Sequence, residues 1–175
     1  MASNSFIPSS FDMSNGVLYK FSFDRLPHTE YFCYSVNIPG VSAGEVLLPT
    51  PTLDVKIHGD KLAFEPLLIN FIVSEDLSNY REILDWMFGL YKPLSTDQYQ
   101  SLGTKNPNLN FRQNIYSDAT LHILTNKMNP IVKFSFKDVH PTNLAPLIFD
   151  SSITDATPLT TDVTLNFAYF TVEKL

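Results

Sequence analysis

Apolar and polar positions alternate with a period of two in several separate stretches of this chain, and with a period near 3.6 in one. Val17, Tyr19, Phe21 and Phe23 interleave with Leu18, Lys20, Ser22 and Asp24, which predicts a strand with one buried face, ended by Pro27. Tyr31 to Ile38 is aromatic and β-branched, a second strand that closes on the turn Pro39-Gly40. Residues 41–60 meet Gly44, Pro49 and Pro51 and then alternate through Leu53, Val55 and Ile57 to His58-Gly59-Asp60. That pattern predicts a long hairpin whose edge is protected by proline. Leu67 to Val73 is almost continuously apolar, as expected of a central strand covered on both faces. Further strands are predicted at about Ile115–Thr125, Ile131–Phe136 and Val163–Val172, with turn-rich sequence at Val139–Leu144 and Asp150–Asp155.

The helical period covers about Leu77 to Tyr91, where Tyr80, Ile83, Leu84, Met87 and Phe88 form one apolar stripe. Asp76 or Ser78 caps its start, Gly89 lies near its end, and Pro93 stops it. Trp86 sits beside the stripe, an angle that suits packing along a seam with a sheet edge or a neighbour. Lys92 to Asn114 is polar and too poor in apolar residues for an element of its own, so it reads as a long functional loop. Residues 1–15 are rich in Ser and Asn with isolated Phe6, Ile7 and Phe11, which suggests an extended arm. The expectation is therefore an N-terminal arm (1–15) followed by a single domain (16–175). Its fold class is mainly β, an antiparallel sandwich or barrel with one flanking helix.

Composition narrows what such a domain does. Apolar residues make up 44% of the 175 and charged residues 17%, a lightly charged surface that suits a protein covered by copies of itself. The net charge of -6 opposes a grip on nucleic acid, which needs clustered Lys and Arg, and no basic stripe is visible along the chain. Aromatic residues reach 13% and sit on strands, so part of them is expected at subunit seams as well as in the core. The N-terminus has neither a basic nor an apolar signal region, and no apolar run approaches the roughly 18 residues of a membrane span. Assembly in a reducing cytoplasm, away from membranes, is the expectation.

Chemistry is sparse. Cys33 is the one cysteine and reads as a small buried hydrophobe. His28, His58, His122 and His140 stand singly, without the spacing of metal ligands. The chain has no Gly-x-Ser-x-Gly elbow and no glycine-rich phosphate loop, and Glu75-Asp76 at a helix start is explained by the helix dipole. The expectation is no enzyme, with no catalytic residue, no metal and no cofactor.

Three blocks carry a resemblance. They are Ile38-Pro39-Gly40 through Val55–Pro66, read as a strand entering a Gly-Asp turn, then Phe71–Asp76 with the helix bearing Arg81 and Asp85-Trp86, and Val139–Leu147 followed by Asp150 and Asp162–Phe170. In that order they cover most of residues 16–173, and the chain resembles the tail tube proteins of contractile-tailed bacteriophages, whose fold is shared with the type VI secretion tube protein. The resemblance implies a structural virion protein that forms stacked hexameric rings, with a channel through which DNA passes without specific binding. It implies contacts to neighbouring subunits and rings through Val41, Glu45, Leu47, Pro49, Pro51, Asp54, Lys56, His58 and Asp60. Candidate lumen-facing residues are Thr52, Asp54, Lys56, Thr164 and Asn166, and candidate packing or seam residues are Phe64, Trp86 and Pro141. Implied partners are further copies of the chain and the tail sheath, baseplate and tail terminator proteins. The implied location is the virion tail, assembled in the host cytoplasm. Alternatives are a tube initiator or tail terminator of the same fold, a tube protein of an injection machine outside a virus, and a carbohydrate-binding β-sandwich module.

Overall fold

The computed structural model describes residues 16–26, 29, 32–91, 95–104, 110–150, 152 and 157–175; the arm, Pro27, His28, Pro93 and Pro107 lie outside them. The described chain runs β1 (Tyr19–Phe23), β2 (Cys33–Val36), β3 (Val41–Pro49), β4 (Asp54–Phe64), β5 (Leu67–Ile72), α1 (Ser78–Tyr91), α2 (Thr96–Gly103), α3 (Phe111–Ile115), β6 (Ser117–Leu124), β7 (Pro130–Leu144), β8 (Thr160–Asn166) and β9 (Tyr169–Lys174). A seven-stranded sheet has the order β1-β6-β7-β8-β5-β2, with β9 also paired to β7, and β3 and β4 form a separate two-stranded sheet. Every pairing is antiparallel, so the mainly β, antiparallel reading of the sequence holds.

The sheet curls because β7 belongs to both of its halves. Val132–Lys137 pairs with β9 on one side while the same stretch pairs with β6 on the other, and His140–Leu144 pairs with β8. Asp138, at φ 55°, marks the switch, and Pro141 sits at a register shift that accommodates its missing amide. The curl carries the two end strands toward each other until the Tyr19 hydroxyl of β1 meets the Cys33 thiol of β2. Inside it, Phe21, Leu67, Ile69, Phe71, Leu121, Phe136, Val163 and Leu165 are buried around Ile83 and Trp86 of α1.

Several expectations change here. Val139–Leu144 is strand rather than turn, and the predicted last strand is broken between β8 and β9 at Phe167-Ala168. The strand of Leu67–Val73 buries Leu67, Ile69 and Phe71 but leaves Leu68 exposed, so one face only is covered. The 92–114 segment holds two short helices instead of an open loop. Few apolar anchors suffice for them: Leu102 of α2 sits so close over Gly89 that any Cβ there would collide, and the Phe111 ring packs in the same way over Gly103. Gly89 thus makes room for a neighbour inside α1 and does not end it.

The fully buried face of α1 is Asn79, Ile83, Trp86 and Gly89, rotated from the predicted stripe and sharing only Ile83 with it; Tyr80 and Met87 pack against the core in part and Phe88 is exposed. Hydrophobic periodicity misses this because its first member is polar. The Asn79 side-chain oxygen accepts hydrogen bonds from the Ser74 amide (3.2 Å) and hydroxyl (3.2 Å), and its nitrogen donates to the Ile72 carbonyl (2.8 Å). The end of β5 is thereby tied to the start of α1, while the Asp76 carboxylate accepts from the Ser78 amide at 3.1 Å. Asn79→Ala takes this partner from the Ser74 amide and the Ile72 carbonyl, while the Ser74 hydroxyl keeps its contact with the Ser78 hydroxyl at 3.1 Å, and about 1–3 kcal/mol of stability is expected to be lost in urea denaturation.

Candidate assembly surface

β2 and β5 do not end at the sheet but continue into β3 and β4. At the joint, the Asn37 side-chain oxygen accepts from the Leu68 amide (2.6 Å), its nitrogen donates to the Pro66 carbonyl (3.2 Å), and the Glu65 amide donates to Gly40 (2.9 Å). Phe64 anchors the root against the rings of Phe167 and Phe170, at centroid distances of 5.8 Å and 5.4 Å. The result is one ribbon from Cys33 to Ile72 whose outer half, Val41 to Phe64, leaves the body of the protein.

The predicted Gly-Asp turn is not a turn, since His58-Gly59-Asp60 lies inside β4. Glu45 pairs with His58 but Ala43 pairs with Leu62, so Gly59, Asp60 and Lys61 bulge opposite Gly44. A Cβ on Gly59 would stand 2.7 Å from the Gly44 carbonyl oxygen, which is why glycine is required there. The reversal is instead at Thr50-Pro51-Thr52-Leu53, where the Thr50 amide donates to Leu53 (3.1 Å) and the Leu53 amide donates to the Thr50 hydroxyl (3.3 Å).

Cross-strand register gives the hairpin two unlike faces. Val46 lies opposite Ile57 and Leu48 opposite Val55, an aliphatic face whose members are 38–52% exposed. The other face sets Glu45 against His58, Leu47 against Lys56 and Pro49 against Asp54. Lys56 bridges to Glu45 at 2.9 Å with both side chains largely in solvent, a pair that contributes little to stability. Every residue of β3 and all but one of β4 are exposed. Exposed aliphatic patches of this extent mark surfaces built to be covered.

The remaining site residues fall elsewhere. Pro51 and Thr52 occupy the hairpin tip, and Val41 and Asp60 lie along its strands. Thr164 and Asn166 are on the outer face of β8, behind the fully buried Val163 and Leu165, so the structure does not bring them into one sheet with Thr52, Asp54 and Lys56. Trp86 and Pro141 are interior: Trp86 Nε1 donates to the Ile115 carbonyl at 2.9 Å, and the Pro141 carbonyl accepts from the Tyr91 hydroxyl at 3.1 Å. Of the two roles open to Trp86, packing is the one its position allows.

Two features escape a reading along the chain. Register sets Lys20, His122, Lys133 and Glu173 in one row across β1, β6, β7 and β9, with Ser22, Thr120, Ser135 and Thr171 in the next. A short row of two lysines flanking His122 thus forms across strands although no basic stripe runs along the sequence, and the Glu173 carboxylate, 4.0 Å from Lys133 Nζ, closes it. The second is Ile148-Phe149, 75% and 73% exposed between β7 and β8; its sequence signal is an apolar run with no alternation, bounded by Pro146 and Asp150.

Cys33 is half-buried, and burial pushes its thiol up to about 11 while the neighbouring Tyr19 hydroxyl rises to about 12. The thiolate is scarce at neutral pH. Alkylation by iodoacetamide at pH 7.5 (about one unit below a free thiol's value) is expected to be slow in the folded chain and to accelerate on unfolding. Rapid labelling of the native chain contradicts that placement.

No family model matches the sequence, and no curated protein matches it. Solved structures do share the fold. A chain of the tube-terminating cap of the anti-feeding prophage superposes with a TM-score of 0.64 at 14% identity, over 100% of both chains. A chain from the extended sheath–tube complex of an extracellular contractile injection system, PVC, gives 0.62 at 15%, again over 100% of both. A chain of the anti-feeding prophage baseplate gives 0.57 at 10%, over 95% of this chain and 97% of that one. The fold is therefore the tube-like fold found in contractile injection assemblies.

Proposed function

We propose that this chain is a structural subunit of the tube of a contractile, phage-tail-type apparatus, stacking with its own copies around a channel and carrying out no catalysis. The observation that supports this reading best is the Val41–Phe64 hairpin, held clear of the body with an exposed aliphatic face on a tube-like fold. A monomer gains nothing from such a face, whereas in a ring or stack its burial contributes about 25 cal/mol for each Å² covered. The hydroxyl row Ser22, Thr120, Ser135 and Thr171 supplies a wettable wall, and the net acidic chain does not hold a polyanion in transit. In the proposed role the chain forms hexameric rings, meets sheath and baseplate as partners, and passes DNA as the cargo of a virion tail.

Electron microscopy of the purified full chain at high concentration tests this. Rings or tubes with an open channel are expected. A chain that stays monomeric by light scattering at millimolar concentration sinks the reading. The relatives of this fold also include a tube-terminating cap, and a cap differs in outcome, since it shortens tubes of a partner protein and forms none itself.

A further inference from the structure

The ladder of the Val41–Phe64 hairpin is interrupted at one place. Between the pairs Ala43–Leu62 and Glu45–His58, the single residue Gly44 stands opposite Gly59, Asp60 and Lys61. The interruption divides the hairpin into a short root and a longer outer half. The root is fixed to the body: Phe64 packs against the rings of Phe167 and Phe170, Asn37 binds the Pro66 carbonyl and the Leu68 amide, and the Glu65 amide donates to Gly40. The outer half, Glu45–Pro49 paired with Asp54–His58, is exposed at every residue. It is stiffened from within instead, by Thr50 closing the tip onto Leu53 and by the fixed φ of Pro49 and Pro51.

The two glycines at the interruption answer different demands. A Cβ on Gly59 would stand 2.7 Å from the Gly44 carbonyl oxygen, so space excludes a side chain there. A Cβ on Gly44 would meet only the Lys61 carbonyl oxygen, at 3.7 Å, which is an ordinary contact, and the φ of Gly44 is not positive. Neither space nor φ calls for glycine at position 44, and inside a strand glycine carries an entropic cost. What it contributes is backbone freedom, at the point where the ladder has already lost its pairing.

We propose that the Gly44/Gly59 bulge is a hinge on which the outer half of the hairpin swings as one rigid piece while the root stays fixed. A few residues between stiff parts suffice for such motion, because they absorb the whole change in φ and ψ. The use of the hinge rests on the tube reading above. The outer half carries Val46, Leu48, Val55 and Ile57 toward a neighbouring copy, and a hinged arm aligns with that copy at the angle at which the two meet. Covering the aliphatic face then stops the swing. The hinge itself is a property of the single chain and is tested there.

The test is double electron–electron resonance on the spin-labelled full chain in a Cys33→Ala background, diluted until it is monomeric. One label sits on the body at Asp85→Cys, an exposed position of α1. The second sits at the tip, Thr52→Cys, or on the root, Leu62→Cys, both exposed. A broad distance distribution is expected for the tip and a narrow one for the root. Gly44→Ala is expected to remove most of the tip's breadth and to leave the root distribution and the fold, followed by circular dichroism, unchanged. A tip as narrow as the root, a root as broad as the tip, or a Gly44→Ala tip of undiminished breadth each overturn the hinge and leave the tube reading standing. A chain that swings as described but never forms rings or tubes at high concentration leaves the hinge standing and overturns the tube reading.

Discussion

Truncating Trp86 to alanine is expected to lower the stability of the folded chain by about 3–5 kcal/mol, the range of large aromatic deletions from a core. Trp86 is 2% exposed, its ring meets Phe23 edge-on at 5.9 Å, and the Arg25 guanidinium stands 5.0 Å above its centroid. Burial pulls the Arg25 guanidinium below its ordinary value, so removing the ring takes a partner from a charge already partly out of water. The deletion also strands the Ile115 carbonyl, which Nε1 now satisfies, and loosens the packing that seats α3 near α1. Trp86→Phe keeps most of the apolar volume and loses the hydrogen bond, so about 1–3 kcal/mol is expected for it. Urea denaturation followed by circular dichroism separates the two, and an unchanged midpoint for Trp86→Ala shows that the ring is peripheral.

Trp86 also shows where sequence reading stops. An alternating strand reports its buried face directly: Phe21 and Phe23, or Val163 and Leu165, are buried where the pattern puts them. A helix reports its buried face only if the residues there are apolar, and α1 buries Asn79 for its hydrogen bonds and Gly89 for its lack of a side chain. The predicted stripe is therefore rotated toward Leu84 and Phe88 and shares only Ile83 with the fully buried face. The helices of 96–115 were hidden for a related reason, since their stability comes from Leu102 and Phe111 fitting over glycines far from them in pattern. Register is the third blind spot. Gly59-Asp60 looks like a turn until pairing with Gly44 shows a bulge, and the Lys20, His122 and Lys133 row exists only across strands.

The hairpin itself was legible, because prolines and alternation bracket it, although it runs to Phe64 rather than Asp60. What the sequence could not supply is that Val55 and Ile57 face solvent. Alternation tells which residues share a face, and the same alternation serves a core or an interface. Only the placement of β3 and β4 outside the curled sheet distinguishes the two.

That placement makes the aliphatic face the point where assembly and folding separate. Val46→Asp combined with Ile57→Asp puts two carboxylates on a face that is 51% and 44% exposed at these positions. The isolated chain is expected to keep its melting temperature, since exposed substitutions shift stability by about 0.5 kcal/mol or less. Assembly behaves differently, because a half-exposed aliphatic side chain that becomes fully covered contributes about half of the roughly 1.5–3 kcal/mol of complete burial. Losing two of them weakens self-association by about 10–10²-fold, and covering the new carboxylates weakens it further. Sedimentation velocity and electron microscopy are expected to show monomer where the unmodified chain forms rings or tubes. Glu45→Gln on the opposite face breaks an exposed ion pair and is expected to leave assembly within a few-fold, which excludes a general effect of altering the hairpin's charge. If the double aspartate variant assembles as well as the unmodified chain, the hairpin's aliphatic face is not a contact surface, and the tube reading loses the feature that supports it best.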